Sequence, residues 1–144
     1  MRAVVFTAPD QPVEVLDVEL APPGPGEVKV KIAGAGVCHS DLHLQKGEWP
    51  HPSPLVMGHE GSGVVVEVGE GVTHLAEGDH VVLSWVAPCG TCRYCLLGKE
   101  ARCQVVASVV APGGVLYDGT SRLSRNGQMV HHYLGTSSFA EYAV

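Results

Sequence analysis

The chain has 144 residues, 45% hydrophobic and 17% charged, and its 15 acidic against 9 basic side chains leave a formal charge of −6 with histidine neutral. That composition supports one folded domain with a real core and excludes a disordered chain, while the acidic balance, with no basic run to offset it, makes nucleic acid and anionic membrane poor partners. The longest apolar runs, such as 64–66 and 105–107, are far too short to cross a bilayer, and 3–6 is too short for a secretory core before Pro9 and Asp10, so a cytoplasmic location is expected.

In chain order, Leu16, Val18 and Leu20 alternate with Asp17 and Glu19, and Val28, Val30 and Ile32 alternate with Glu27, Lys29 and Lys31. Both patterns have the period of two that marks a strand with one wet and one buried face. A short helix is predicted next, capped by Ser40 or Asp41, running through 42–45 and stopped by Gly47. β-Branched runs at 64–68 and 81–83, bounded by Gly69, Gly71, Gly78 and Asp79, predict further strands joined by tight turns. Residues 104–134 read as a long irregular excursion before a last strand near 139–144. The 18 glycines and 10 prolines punctuate the whole chain, no repeat or low-complexity tract is present, and long crossover helices are missing. The expected class is therefore mainly β, a closed or nearly closed barrel.

Five cysteines are an odd number, and four of them form Cys89-x2-Cys92-x2-Cys95-x7-Cys103. Four soft ligands this close can wrap a tetrahedral ion without help from distant strands, and zinc is the natural occupant. Ferredoxin-type clusters place the fourth cysteine after three residues and before proline, unlike the seven-residue gap and Gln104 here. With every position filled by protein, this ion would be structural, stapling a loop of reduced thiolates. A second set is scattered: Cys38, His39, Ser40, Asp41 and His43 follow a strand pattern, and His59 and Glu60 follow about twenty residues later. Each alone is most simply a buried thiol or a hydrogen-bonded imidazole. Jointly they supply a thiolate, an imidazole and a supporting carboxylate, the parts of an open zinc site.

Gly-Val-Cys-His-Ser-Asp-Leu-His at 36–43, Gly-His-Glu-Gly-Ser-Gly at 58–63, Val-Gly-Glu-Gly-Val at 68–72, Gly-Asp-His-Val at 78–81 and the four-Cys loop occur in this order. Together they resemble the zinc-dependent medium-chain alcohol dehydrogenases, over nearly the whole chain. The resemblance implies a GroES-like, partly open β-barrel with short helices and a zinc-stapled loop. It implies that Cys38 and His59 hold a catalytic zinc with Glu60 as an occasional ligand, and that Asp41 orients the His59 imidazole. Ser40 would receive the alcohol proton and pass it through the cofactor ribose to His43, and His39 would contact the cofactor pyrophosphate. Trp49 and Trp85 match positions lining the substrate pocket, where two indoles favour a small alcohol or aldehyde, though core packing explains either equally well. The cofactors implied are one structural and one catalytic zinc, with NAD or NADP.

The family's third protein ligand of the catalytic zinc has no counterpart among the cysteines left over, and no Gly-x-Gly-x-x-Gly follows a strand. Residues 1–144 are therefore expected to be the GroES-like catalytic domain of a larger, homo-oligomeric dehydrogenase, with the C-terminal nucleotide-binding domain missing and no turnover by the domain alone. His51, His131 and His132 are expected to be exposed or loop-packed, Glu67, Glu70 and Glu77 to be solvated, and Gly61 and Gly63 to allow a close backbone approach or merely to turn the chain. The competing readings are a non-catalytic zinc-stapled β-barrel that binds a protein partner, and nucleic-acid binding through the four-Cys loop. The second is weakened by the acidic charge and by only Arg93, Lys99 and Arg102 near the loop.

Overall fold

A computed structural model describes residues 1–144. Strands hold 32% of the residues and helices 17%, and the strands curl into a half-barrel, the mainly β architecture expected. One sheet runs in the order β2 (Glu14–Asp17), β1 (Arg2–Phe6), β5 (Leu55–Val56), β9 (Gln128–His132), β8 (Leu123–Arg125), β3 (Glu19–Leu20). The other runs β10 (Tyr142–Ala143), β4 (Val28–Gly36), β6 (Glu60–Val68), β7 (His80–Leu83). Pairing is antiparallel throughout except between β5 and β9, and a bridge between Ala3 and Ala140 joins the two sheets.

The alternation at 14–20 survives, but the strand is split. Val18 is buried at the bend, so that β2 pairs with β1 and β3 with β8. Two apolar clusters form the core. Ala3, Val5, Val18, Val56, Leu123 and Val130 fill the first sheet's inner face, and Phe6, Leu44, Leu55, Met57 and Tyr133 form a second cluster. Leu44, fully buried there, anchors the helix α1 (His39–Gln45), and burying a leucine contributes about 2 kcal/mol.

Three local expectations need correction. Helix α1 is capped by Cys38, whose backbone is extended, and not by Ser40 or Asp41. Asp41 works from inside the first turn, its Oδ2 accepting the Cys38 N–H at 2.9 Å, which is why a carboxylate there mimics a cap in sequence. The helix ends as expected, with Gly47 at φ +69, and an added Cβ there would lie 2.7 Å from Pro9 Cβ. The region 104–134 is not irregular: a π-helical turn, Val106–Val110, runs into Ala111–Gly113, and β8 and β9 form a hairpin. Its turn, Asn126-Gly127, has positive φ at both residues, the combination for which that dipeptide is favoured.

His132 is neither exposed nor loop-packed; it is buried in β9. Its Nε2 accepts the Arg122 N–H at 3.3 Å, while Nδ1 has no partner. Burial, then the charges of Arg122 and His131, push its pKa down to about 4. An unfolded chain would take up the proton near the ordinary histidine value of 6.5, so stability is fully present above that pH and is lost as pH falls toward 4. The loss reaches about 3 kcal/mol. Denaturant titrations between pH 7.5 and 4.5 should show this slope, and His132→Gln should flatten it; equal slopes in both proteins would refute the assignment. His131 is half-buried with Nδ1 bonded to Gly113 O at 3.1 Å. Glu67 is not simply solvated, since it pairs with Lys29 across β4 and β6 at 2.5 Å.

Candidate metal centres

The ladder between β4 and β6 sets Gly36 opposite Glu60, so the end of one long strand meets the start of the other. Cys38 leaves the first and His59 enters the second, and residues twenty apart in sequence become neighbours. Ligand atoms of Cys38, His59 and Glu60 all lie within 4.8 Å of one another. The arrangement needs glycine at one point: Gly58, at φ +88, lies against the Phe139 backbone and the Ser138 side chain, whereas a side chain at Gly36 would only displace the Glu60 carboxylate. Gly61 and Gly63 lie inside β6 and are not turn residues: an added Cβ at Gly61 would lie 2.7 Å from Ser138 Cβ, and one at Gly63 would overlap the Lys31 carbonyl.

Asp41 holds the centre together. Its Oδ2 takes the Cys38 N–H, and its Oδ1 stands 3.4 Å from His59 Nδ1, with Asp41 4% and His59 5% exposed. Both of those facing atoms are buried with no hydrogen-bond partner within ordinary range. A carboxylate facing Nδ1 favours the proton there and leaves Nε2 with a lone pair; Nε2 lies 3.9 Å from Glu60 Oε1. A thiol, an imidazole and a carboxylate gathered in this way fit a zinc ion chemically. The Tyr133 ring stands edge-on to His59, centroids 5.4 Å apart, and its hydroxyl donates to Ser40 O at 3.2 Å. Burial first, then the charges of Asp41 and Cys38, push the Tyr133 phenol up to about 12. Ser40 Oγ is 3.6 Å from Cys38 Sγ.

On the exposed side of α1, His39 Nδ1 and His43 Nε2 are 3.0 Å apart, His43 Nδ1 contacts Glu48 Oε2, and Trp49 stacks on His43 with centroids 4.9 Å apart. Trp49 and Trp85 are 45% and 52% exposed, so neither is a core residue. Sequence reasoning missed Tyr133, Glu48 and Ser138, whose hydroxyl donates to Glu60 O at 2.9 Å. Nothing in the sequence around Tyr133 points ninety residues back to Ser40, whereas the carboxylate five residues after His43 was a visible cue.

The other centre is local. Cys89, Cys92, Cys95 and Cys103 carry free thiols whose sulfurs lie within 4.8 Å of one another. The Cys92–Cys95 and Cys89–Cys95 sulfur separations are 3.5 and 4.0 Å. Backbone N–H groups point at the sulfurs, from Cys92 to Cys89 at 3.3 Å and from Cys89 to Cys103 at 3.4 Å. The backbone N–H and hydroxyl of Thr91, with the Cys92 N–H, pull the Cys89 thiol down to about 6. Desolvation and the adjoining Cys92 thiol push Cys95 up to about 12. Sulfurs this close resist common ionisation unless a cation sits among them, so the donor set fits zinc.

A family model described as "Alcohol dehydrogenase GroES-like domain" matches residues 24–144. S-(hydroxymethyl)glutathione dehydrogenase of Escherichia coli O1:K1 / APEC is 47% identical over 144 residues, covering 99% of this chain, and the Shigella sonnei (strain Ss046) protein of that name matches equally. Among solved structures, the alcohol dehydrogenase zinc-binding domain protein from Burkholderia ambifaria superposes with a TM-score of 0.91 at 39% identity, over 99% of this chain and 38% of that one. Benzyl alcohol dehydrogenase from Acinetobacter calcoaceticus gives 0.88 at 36% identity, over 99% and 38% of the two chains. The chain spans 39% of the length of these curated relatives.

Proposed function

The chain belongs to the alcohol dehydrogenase GroES-like domain family, and from that premise we propose that it is the catalytic portion of a zinc-dependent oxidoreductase interconverting an alcohol and an aldehyde or ketone with NAD or NADP. The observation that carries the reading is the convergence of Cys38, His59 and Glu60 over a buried Asp41. Those three residues would hold a catalytic zinc, and Cys89, Cys92, Cys95 and Cys103 a structural one. Zinc held at the first site would supply Lewis acidity toward an alcohol oxygen.

The chain's own residues do the rest. Asp41 keeps the His59 ring in one tautomer and orientation. The Ser40 hydroxyl, beside Cys38, would receive the alcohol proton while releasing its own, and His43 would be the group that finally holds it, with no direct contact between the two. His39 suits a pyrophosphate, and the half-exposed Trp49 and Trp85 offer flat walls to a small alcohol or aldehyde. The chain's 39% share of its relatives supports a nucleotide-binding domain and a third zinc ligand lying outside residues 1–144. A cytoplasmic homo-oligomer is the natural setting for such an enzyme.

Metal analysis tests the reading. The chain should bind one zinc that resists mild chelation and a second that is easily removed, with His59→Ala abolishing only the second. A single zinc held by the four thiols, even with zinc in excess, would point instead to a non-catalytic protein-binding barrel.

A further inference from the structure

The chain of side chains on α1 has a polarity that the protein itself sets. Glu48 is exposed, and its carboxyl is held below the usual range, first by the hydrogen bond to His43. An ionised carboxylate can only accept, so the proton of the His43–Glu48 contact is on His43 Nδ1. A neutral His43 then carries its lone pair on Nε2, and across the 3.0 Å gap the donor must be His39 Nδ1–H. Two further contacts hold the pair: the Glu48 backbone N–H donates to the His43 carbonyl at 2.9 Å, keeping the two residues close, and Trp49 lies over the ring with 24° between planes.

We propose that Glu48 is a positioning residue for His43: its carboxylate fixes the Nδ1–H tautomer, makes Nε2 the proton-accepting nitrogen, and stands as counter-ion when that nitrogen is protonated. The role in catalysis rests on the oxidoreductase reading above, whereas the tautomer does not. When a proton arrives at Nε2, the Nδ1–H stays on Glu48, both ring nitrogens become donors, and the bond to His39 must reverse or open. No bond to carbon forms or breaks in this step. The proton then leaves to water from an imidazolium that keeps its carboxylate partner.

Nitrogen-15 spectra of histidine-labelled, zinc-loaded chain at alkaline pH test the tautomer directly. In the native chain, His43 Nδ1 should resonate in the range of a protonated ring nitrogen and Nε2 in that of a bare one. In Glu48→Leu no side-chain acceptor faces Nδ1, so the two signals should shift toward each other's ranges as the Nε2–H form gains, and Glu48→Asp should keep the native pattern in part. A native His43 protonated on Nε2, or an unchanged pattern in Glu48→Leu, overturns the proposal. In the polypeptide that carries activity, Glu48→Gln should lower kcat about tenfold or more with zinc content unchanged. Unaltered kcat overturns the positioning role. A native polypeptide with no alcohol dehydrogenase activity would instead overturn the functional reading, leaving the tautomer to be decided by the spectra.

Discussion

Alanine at His59 is expected to cut turnover of the active polypeptide by at least about a thousandfold, equivalent to roughly 4 kcal/mol of transition-state stabilisation. His59 is the only imidazole among the three donors of the first centre, and it is almost wholly buried. Its loss also takes away the imidazole that stands 3.4 Å from Asp41 Oδ1, a buried atom with no hydrogen-bond partner, so some stability is lost with it, on the order of 1–3 kcal/mol. His59→Gln separates the two effects, since an amide can still meet Asp41. Both variants should lose the labile zinc and the activity, and the glutamine variant should melt closer to the parent. Activity within tenfold of the parent in either variant would remove His59 from the mechanism.

The second large effect is on stability. Cys103→Ser should release the tightly held zinc and unfold the loop around it, because a structural metal contributes folding free energy directly. The loop has little else to hold it. Its helical pieces are Arg93–Leu96 and Glu100–Arg102, neither contains a buried residue, and Leu96 and Leu97 point outward at 74% and 58% exposure. Cys103 alone of the four is buried, and it accepts the Cys89 N–H across the loop. Zinc content by mass spectrometry and the thermal midpoint should fall together. A variant that keeps both would show that the loop is stapled by packing and not by metal.

What could be read in advance follows the range of the interactions involved. β4 is long and regular enough for a period of two to show, β6 and β7 stand out as β-branched runs, and the four-thiol motif is closed within one segment. β5 has only two residues and exists because β1 and β9 flank it, so no local pattern announces it. The β8–β9 hairpin was legible and missed, its Asn126-Gly127 turn masked by the polar residues around it. The cap of α1 failed because a side chain three residues inside the helix can satisfy the same N–H as one at its entrance. At the site, residue types were visible as donors, while the packing of Tyr133 on His59 is a long-range contact that only the folded barrel creates.

The two centres differ in how far apart in the chain their parts were made. The thiol quartet closes a short loop at small entropic cost and needs no completed sheet, so under the proposed reading it would take up an ion before the barrel is complete. The other centre waits for the β4–β6 ladder to zip and for Tyr133, more than seventy residues beyond His59, to seat against it. Occupancy of the first thus reports birth of the lobe, and occupancy of the second reports maturity of the barrel.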